Sequence, residues 1–378
     1  MNSVEWGEFK LEKLFEKIKV NSLKYKTKDL PKYRTSECPL PALTAGIENQ
    51  GLNNYVPNKG ATILKNVISI SANGANTGAT FYQNREFTVL QDAYAIKWIF
   101  DKTILSDNQY LFLTSSISKT IYGNYEWTNK AGWERIKTEN IKLPINTDGS
   151  IDFEFMESFI AELEAERVAE LSAYLKVSGL DNYELSVEEQ NAIQEYETLD
   201  FSEFDITEIF ESKNTSNILS TQITENSGDT PYLCASSENN GVSSYITYDE
   251  RYLEKGNCIF IGGKTFVVSY QANDFFSNDS HNLALYLKNC DKSKLKHFYI
   301  ATCLFKSLSH KYSWGNSISK TKIKNDKISL PIKDGEPNYD VMELLISAVQ
   351  KLVIKDVVKY SDAKISATKQ VIQEKGEF

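Results

Sequence analysis

The sequence contains no long apolar run, few histidines and no closely spaced pair of cysteines. No segment approaches the roughly 20 apolar residues that cross a bilayer, and the first residues lack the apolar core of a secretory signal. The five cysteines show no CxxC spacing, which indicates reduced thiols of a cytoplasmic protein and neither disulfides nor a zinc site. The three histidines all lie in the second half, so a metal centre repeated in both halves is not expected.

Signatures of enzymes are also scarce. No two of the eight prolines are adjacent, which excludes the Asn/Asp-Pro-Pro-aromatic motif of methyltransferases. The run 262–265 resembles the end of a phosphate-binding loop, but Cys258 stands where that motif requires glycine. Glu8 and Lys10 have the Glu-x-Lys spacing found in nucleases, which leaves a cryptic nuclease as a minor alternative. The sequence therefore predicts a chain without a catalytic centre of its own.

Similar segments occur twice along the chain in the same order, offset by 195, then 190, then 187 residues. Solenoid units of about 20–50 residues are far shorter than this period. The sequence therefore predicts two copies of one domain, each large enough to bury its own core. A duplicated binding unit is typical of a target that has two parts. The paired segments are 6–16 with 201–211, 41–55 with 231–245, and 141–145 with 328–332.

The net charge of −9 conceals an uneven distribution. Residues 152–211 hold 18 acidic and two basic side chains, whereas the rest of the chain carries a balance of +7. The local field governs attraction to phosphate, so two mildly basic repeats are compatible with a nucleic-acid partner. The acidic segment is equally consistent with a solvated helical face and a linker.

Within each copy, short apolar or alternating runs predict strands, and longer runs have helical spacing. Asn-Gly pairs at 73–74 and 240–241 predict turns between them. Each copy is thus predicted to be an α+β domain with an irregular sheet. The predicted strands include 67–71, 94–98, 258–261 and 283–287, and the predicted helices are 108–122 and 295–308.

Each copy ends on a Leu-Pro-Ile triplet, a polar turn and a long amphipathic helix, predicted over 152–176 and 339–372. Both exceed the usual helix length of about 11–12 residues. Their apolar stripes favour a paired, coiled-coil-like spacer, and packing of each helix on its own domain is the alternative. Between the copies, Ser186 and Glu189 predict a capping box that begins a short linker helix.

Two segments in each copy form the candidate binding surface. The small residues of loop 71–80, and of 262–265 in the second copy, permit close backbone approach to a ligand. Segments 122–137 and 306–327 combine aromatic, amide and cationic side chains, and such cations neutralise phosphates while amides and hydroxyls read base edges. The candidate DNA contacts are Asn73, Asn76, Thr77, Tyr125, Asn129, Lys130, Arg135 and Lys137 in the first copy, and Lys264, Lys311, Tyr312, Asn316, Ser317, Lys320 and Lys322 in the second.

Two further expectations concern the same segments. Trp127 and Trp314 occupy equivalent positions in the two copies and are expected in the core, because aligned aromatic residues are usually packing residues. The pairs 129–130 and 316–317 differ between the copies, so they are expected to distinguish two different half-sites.

The order of these features resembles the specificity subunit of type I restriction–modification systems over nearly the whole chain. The resemblance rests on the tandem halves, the loop 71–82 followed by Gln91 and Asp92, the Leu-Pro-Ile triplets and the long helix after each. The segment 174–183 is similar to the type IIB-like branch of that family. The second copy departs from the pattern, because its glycine loop is shortened and Gln91-Asp92 has a rough match at 279–281.

The resemblance implies two tandem α+β target-recognition domains, each reading half of a bipartite duplex DNA site, separated by two long antiparallel helices. It implies a non-catalytic subunit whose helices dock adenine methyltransferase subunits that carry S-adenosylmethionine, and which a restriction or translocase subunit can join. The residues expected to dock these partners are Met156, Ile160, Leu163, Leu171, Met342, Leu345, Val349 and Leu352.

The implied division places recognition domains at 1–150 and 201–336, spacer helices at 151–178 and 337–378, and an acidic linker at 179–200. A duplicated protein-interaction adaptor without a nucleic-acid partner is the runner-up interpretation.

Overall fold

The computed structural model describes residues 4–288 and 293–376, with side chains described up to residue 370. Contacts between Cα atoms divide the chain into two compact units. Unit 1 comprises residues up to 171 together with the end of the chain from residue 364, and unit 2 comprises residues 172–363. The predicted division into recognition domains, linker and spacer helices is a division by sequence segment and stays a prediction.

The first copy contains nine strands, three short or medium helices and one long helix among its described residues. In chain order the elements are β1 Glu5–Lys10, α1 Leu11–Leu14, β2 Phe15–Lys17, β3 Leu40–Leu43, β4 Leu52–Val56, β5 Val67–Ser71, β6 Thr80–Gln83, β7 Thr88–Val89, β8 Ala93–Trp98, α2 Asp107–Ile121, α3 Trp133–Ile136, β9 Asn140–Ile145 and α4 Phe153–Val177.

After the linker helix, the second copy repeats this order and adds one short strand. The elements are α5 Val187–Gln194, β10 Phe201–Asp205, α6 Ile206–Ile209, β11 Phe210–Asn214, β12 Thr230–Leu233, β13 Val242–Ile246, β14 Cys258–Ile261, β15 Val268–Gln271, β16 Phe276–Ser277, β17 Leu283–Leu287, α7 Lys294–Leu308, α8 Lys320–Ile323, β18 Lys327–Lys333, β19 Glu336–Pro337 and α9 Tyr339–Gly376.

The sheets of the two units have the same topology. A four-stranded antiparallel sheet has the order β2-β8-β5-β6 in the first unit and β11-β17-β14-β15 in the second. Smaller sheets of order β4-β3-β7 and β13-β12-β16 each contain one parallel pair. The predicted α+β duplication is therefore confirmed, and the short β19 is an addition to the second copy.

The core of each unit lies between the four-stranded sheet and the helix that follows it. All five residues of β5 are buried, including Ser69 and Ser71, so the alternation of isoleucine and serine in this strand does not mark a solvent-facing side. Leu113 and Ile117 of α2 are fully buried against it, as are Ile300 and Leu304 of α7 in unit 2. A capping box of Ser106 begins α2, one residue earlier than predicted.

The two long helices begin inside the domain cores and continue beyond them. Met156, Met342 and Leu345 are at most 6% exposed and belong to the cores of their own units. The assignment of Met156 and Met342 as docking residues is therefore wrong, because a side chain without exposed surface cannot contact a partner. Leu345 keeps 6% of its surface exposed, and its docking role stays a prediction. The alternative of packing on the own domain is correct for these first turns.

Farther along α4, the helices pack on each other within unit 1. Lys364 Nζ of α9 lies 2.7 Å from Glu164 Oε1 of α4, and Val168 between these turns is buried. The predicted pairing of the long helices is therefore present in this part of the chain.

The short linker helix α5 has the predicted capping box, with the Glu189 amide 3.2 Å from Ser186 Oγ. The Glu189 carboxylate is buried and accepts hydrogen bonds from Ser347 Oγ at 2.5 Å and Lys351 Nζ at 2.9 Å. Burial raises the pKa of Glu189, but these bonds outweigh it and lower the pKa below its usual value. The linker is thus fastened to α9 of unit 2.

Cys38, Cys234, Cys258 and Cys303 are free thiols, and Cys290 lies outside the described residues. No helix in the described ranges is both long and apolar enough to cross a bilayer.

Candidate nucleic-acid interface

In unit 1, the loop after β5 is joined to the segment after α2 at the fully buried Ala131. The Ala131 amide donates to Thr77 Oγ1 at 3.0 Å, and its carbonyl accepts from the Tyr94 hydroxyl at 2.9 Å. Gly78 has a φ of +89°, and an added Cβ would lie 3.0 Å from the Ile121 carbonyl oxygen. Loop 72–79 and segment 122–132 therefore form one continuous surface.

Unit 2 makes the same junction although its loop is shorter. The Ile318 amide, equivalent to that of Ala131, donates to the Gly263 carbonyl oxygen at 3.0 Å. The Gly263 amide donates to Asn282 Oδ1 at 3.0 Å, and an added Cβ would lie 2.2 Å from the His281 carbonyl oxygen. The expectation that this glycine leaves room for a ligand is wrong, because the protein's own backbone fills that space.

A tyrosine–carboxylate pair fixes the start of each binding segment. The Tyr125 hydroxyl donates to Glu139 Oε1 at 2.9 Å, and the Tyr312 hydroxyl donates to the buried Asp326, which also accepts from Lys311 Nζ at 2.6 Å. Burial and the bond to Glu139 raise the pKa of Tyr125 to about 12. The hydroxyls of both tyrosines are therefore used inside the domain.

Two of the candidate DNA contacts are enclosed by the protein. Tyr312 is 8% and Thr77 is 1% exposed. Their assignment as DNA contacts is wrong, because both side chains are buried and form hydrogen bonds that hold the binding segments in place. The burial of a threonine or tyrosine in an irregular segment cannot be predicted from the sequence, because such a segment has no periodic pattern that distinguishes buried from exposed positions.

The segments then form a two-residue hairpin in each unit. In unit 1, Glu126 and Asn129 exchange two backbone hydrogen bonds of 3.1 Å, and in unit 2 Ser313 and Asn316 exchange bonds of 3.0 and 3.2 Å. The positions differ by 187 residues throughout, which is the offset of the nearby repeat segments.

A cation holds each hairpin from the following short helix. Arg135 donates to Asn129 Oδ1 at 3.0 Å and to the Lys130 carbonyl oxygen at 3.3 Å. Lys322 donates to Asn316 Oδ1 at 2.8 Å and to the Ser317 carbonyl oxygen at 2.7 Å. The two asparagines thus have the same structural contact in both copies, and the difference between the copies falls on Lys130 and Ser317.

Trp127 and Trp314 stand at the first tip position of these hairpins. They are 66% and 77% exposed, so the expectation that they lie in the core is wrong. Alignment between the copies reflects a shared position at a turn and not shared burial. The neighbouring Gly, Asn and Thr residues, which are typical of turns, were the signal that could have placed both rings outside.

The turn between the central strands has a matched polar contact in both units. Asn73 Nδ2 lies 2.7 Å from Asp92 Oδ1, and Lys264 Nζ lies 2.8 Å from Asp279 Oδ2. Burial raises the pKa of Asp279, but bonds from Lys264 and His281 outweigh it and bring the pKa to about 2. The rough match between Asp92 and Asp279 therefore corresponds to one structural position.

The remaining candidates lie at or near the surface. Asn129, Arg135, Lys264, Lys311, Asn316, Lys320 and Lys322 are exposed, and Asn73, Asn76, Lys130, Lys137 and Ser317 are half-buried. Lys137 forms an ion pair with Glu134. A shallow groove in unit 1 brings together Lys130, Arg135 and Lys17, and Lys17 was missed because it lies far away in sequence, at the end of β2. Among the residues with described side chains, no group of three or more His, Cys, Asp or Glu could hold a metal ion.

Comparison with known proteins adds to this geometry. A family model described as the type I restriction modification DNA specificity domain matches residues 3–173 and again residues 199–374. The "Type II restriction enzyme BgcI specificity subunit S.BcgI" of Heyndrickxia coagulans is 28% identical over 151 residues, which are 39% of this chain. The match spans 43% of that relative, less than half of its length.

A solved structure shares the fold. The crystal structure of a type I restriction-modification system S subunit from M. genitalium superposes with a TM-score of 0.60 at 15% identity, covering 98% of this chain and 95% of that one.

Proposed function

Because the chain belongs to the family of type I restriction modification DNA specificity proteins, we propose that it reads a bipartite duplex DNA site, one half-site with each unit. We further propose that it is not itself catalytic. Adenine methyltransferase subunits, which supply S-adenosylmethionine, dock on it and carry out the reaction.

The observation that carries this proposal is the duplicated cationic hairpin. Each unit presents a hairpin that is held by an Asn–cation contact and surrounded by further lysines or arginines. Such cations position a phosphate backbone, while exposed amides and hydroxyls contact base edges. The contacts that hold the hairpins are the same in both units, but Lys130 of unit 1 is replaced by Ser317 at the equivalent position of unit 2. The two units therefore share an architecture and differ in the side chains available to contact bases.

The docking proposal rests on a second duplicated feature, an apolar groove on the side of each unit where the long helix begins. We call these the helix-side grooves. Both have an aromatic residue from the first strand, an aromatic residue and a lysine from the helix after the sheet, and three apolar residues from the long helix. They are lined by Trp6, Phe112, Lys119, Phe159, Ile160 and Leu163 in unit 1, and by Phe201, Tyr299, Lys306, Leu345, Ile346 and Val349 in unit 2.

Four of the predicted docking residues, Ile160, Leu163, Leu345 and Val349, line these grooves, and Leu163 and Val349 are 40% and 50% exposed. Leu352 is also exposed and Leu171 is half-buried, but neither lines a groove. Exposed apolar surface of this kind is typical of sites for protein partners. Two equivalent grooves support docking of two equivalent methyltransferase subunits.

The test is equilibrium binding of the chain to labelled duplex DNA over a range of salt concentrations, with and without the adenine methyltransferase of its own system. We expect binding whose logarithm falls steeply with the logarithm of salt, by about 0.9 for each phosphate contacted. Selection from a pool of random duplexes is expected to return a site with two separated conserved parts.

The alternatives give different results. An adaptor would bind protein partners and show no salt-dependent affinity for duplex DNA, with or without methyltransferase. A cryptic nuclease would cleave duplex DNA when the chain alone is incubated with Mg²⁺. Either result would contradict the proposal.

A further inference from the structure

Each hairpin tip carries an exposed tryptophan, and contacts of cations and amides with DNA do not explain this exposure. Trp127 and Trp314 leave 66% and 77% of their surface in water. A tryptophan ring is among the largest apolar groups that a chain can bury, and here two such rings are exposed at equivalent positions. A single exposed ring is ordinary, whereas the same exposure repeated at the same turn of a duplicated domain indicates a use.

Both rings are held by a stiff support. Each hairpin is closed by two reciprocal backbone bonds and clamped by the cation of the next helix, Arg135 or Lys322. Beneath the hairpin of unit 1, the Ala131 amide is tied to the sheet side of the domain through Thr77. The tip is therefore pre-organised, so little conformational entropy is lost when it meets a ligand.

The surroundings of the rings identify the kind of ligand. Lys130 Nζ lies 5.4 Å from the centre of the Trp127 ring, and the residues beside the rings are Thr128 and Asn129 in one unit and Gly315 and Asn316 in the other. A protein partner is usually met by a core of several apolar residues, which these tips do not provide. A flat ring among cations and amides instead matches the stacked bases and phosphates of a nucleic acid.

We propose that Trp127 and Trp314 are wedges that insert between neighbouring base pairs, one in each half-site, while the surrounding cations hold the flanking phosphates. This inference rests on the proposed reading of duplex DNA. Insertion of a neutral ring adds affinity without releasing counterions, so it strengthens binding without changing its dependence on salt. It also unstacks a base step, which favours sequences that are easily unstacked.

The experiment compares the full chain with Trp127→Ala, Trp314→Ala and the double variant, using fluorescence anisotropy of a dye-labelled random duplex pool at several salt concentrations. Each single variant is expected to bind about ten- to a hundredfold more weakly, with an unchanged salt slope. Trp127→Phe, which keeps a smaller ring, is expected to retain most of the affinity. Tyr174→Ala is the matched control, because Tyr174 is a 63% exposed aromatic residue on α4.

A second probe distinguishes insertion from surface contact. A duplex with a single-nucleotide gap already has an opened stack, so wild-type protein is expected to bind gapped DNA more tightly than intact DNA. Trp127→Ala,Trp314→Ala protein is expected to bind both equally. Circular dichroism and melting temperature verify the fold of each variant, and neither should change because both rings are exposed.

Some results would overturn the inference. Alanine variants that bind as tightly as wild type, or that lose no more affinity than Tyr174→Ala, would show that the rings do not contact DNA. A gap preference that persists in the double variant would show that they do not insert. Wild-type protein without any salt-dependent affinity for duplex DNA would instead contradict the proposed function itself.

Discussion

The Ala131 amide and the Thr77 hydroxyl form a 3.0 Å hydrogen bond between the segment after α2 and the loop after β5. Both residues are buried, so water cannot replace either partner. We expect Thr77→Val to leave the amide unsatisfied and to reduce the free energy of unfolding by about 1–3 kcal/mol. Chemical denaturation measures this loss, and Thr77→Ser, which keeps the hydroxyl, is the control. Equal losses in both variants would contradict the role of the hydrogen bond.

In unit 2, the equivalent junction depends on the absence of a side chain at Gly263. A Cβ there would lie 2.2 Å from the His281 carbonyl oxygen, so the backbone has to move. We expect Gly263→Ala to lower the free energy of unfolding by about 3 kcal/mol. Gly315→Ala is the control, since a Cβ at Gly315 has no neighbour within 4 Å. A melting temperature of Gly263→Ala that matches the control would show that the junction is flexible.

If the methyltransferase docks by apolar contact, a charged side chain introduced into a helix-side groove should weaken its binding. We expect Leu163→Asp and Val349→Asp each to remove one of two docked subunits, and the double variant to remove both. Native mass spectrometry of the reconstituted complex counts the subunits. Val353→Asp is the control, because Val353 is 75% exposed on α9 and does not line the groove.

Point variants test docking more cleanly than removal of residues 339–378. That deletion would take Met342 and Leu345 out of the core of unit 2, so loss of assembly would follow from unfolding alone. Unchanged subunit counts in the double variant, with the fold intact, would place the docking surface elsewhere.

Phosphate contacts by the cations of the second binding segment predict a change in salt dependence. We expect Lys320→Ala to weaken DNA binding at low salt and to reduce the salt slope by about 0.9, the effect of one released counterion. Lys359→Ala on α9 removes the same charge from an exposed helical position and is expected to leave the slope unchanged. A common effect of both variants would indicate attraction to net charge without a defined contact.

The contact of Lys264 with Asp279 predicts sensitivity to acid. Because folding lowers the pKa of Asp279 from 3.8 to about 2, the folded state favours the ionised carboxylate. This contribution, about 2 kcal/mol, is present above pH ~4 and is lost as the pH falls from about 4 to about 2. Chemical denaturation at several values between about pH 5 and about pH 2 is expected to show a smaller acid-induced loss of unfolding free energy in Asp279→Asn than in wild type.

The sequence was sufficient to predict the duplication and most regular elements. Apolar runs such as 258–261 are strands because their residues are buried on both faces, and the capping box at Ser186 begins a helix as expected. These features are local, so spacing and side-chain chemistry determine them.

Failures of prediction fall where burial depends on contacts distant in sequence. Thr77 is hydrogen-bonded to Ala131, 54 residues away, and Tyr312 to Asp326, 14 residues away. A periodic pattern in the sequence does not reveal such contacts. Met156 and Met342 share the apolar stripes of exposed residues, because one helical face changes from domain core to open surface along its length. Whether a stripe faces the core or a partner cannot be decided from its spacing.

The Asn–cation contact and the tyrosine–carboxylate pair hold the two ends of each hairpin, and the tip residues lie between them. Residues 127, 128 and 130, and their counterparts 314, 315 and 317, lie between those fixed contacts and form few of them. Substitutions at these positions can therefore change the side chains presented to DNA without loss of the contacts that stabilise the fold. Transplanting one tip onto the opposite unit is a direct route to palindromic or altered recognition sites.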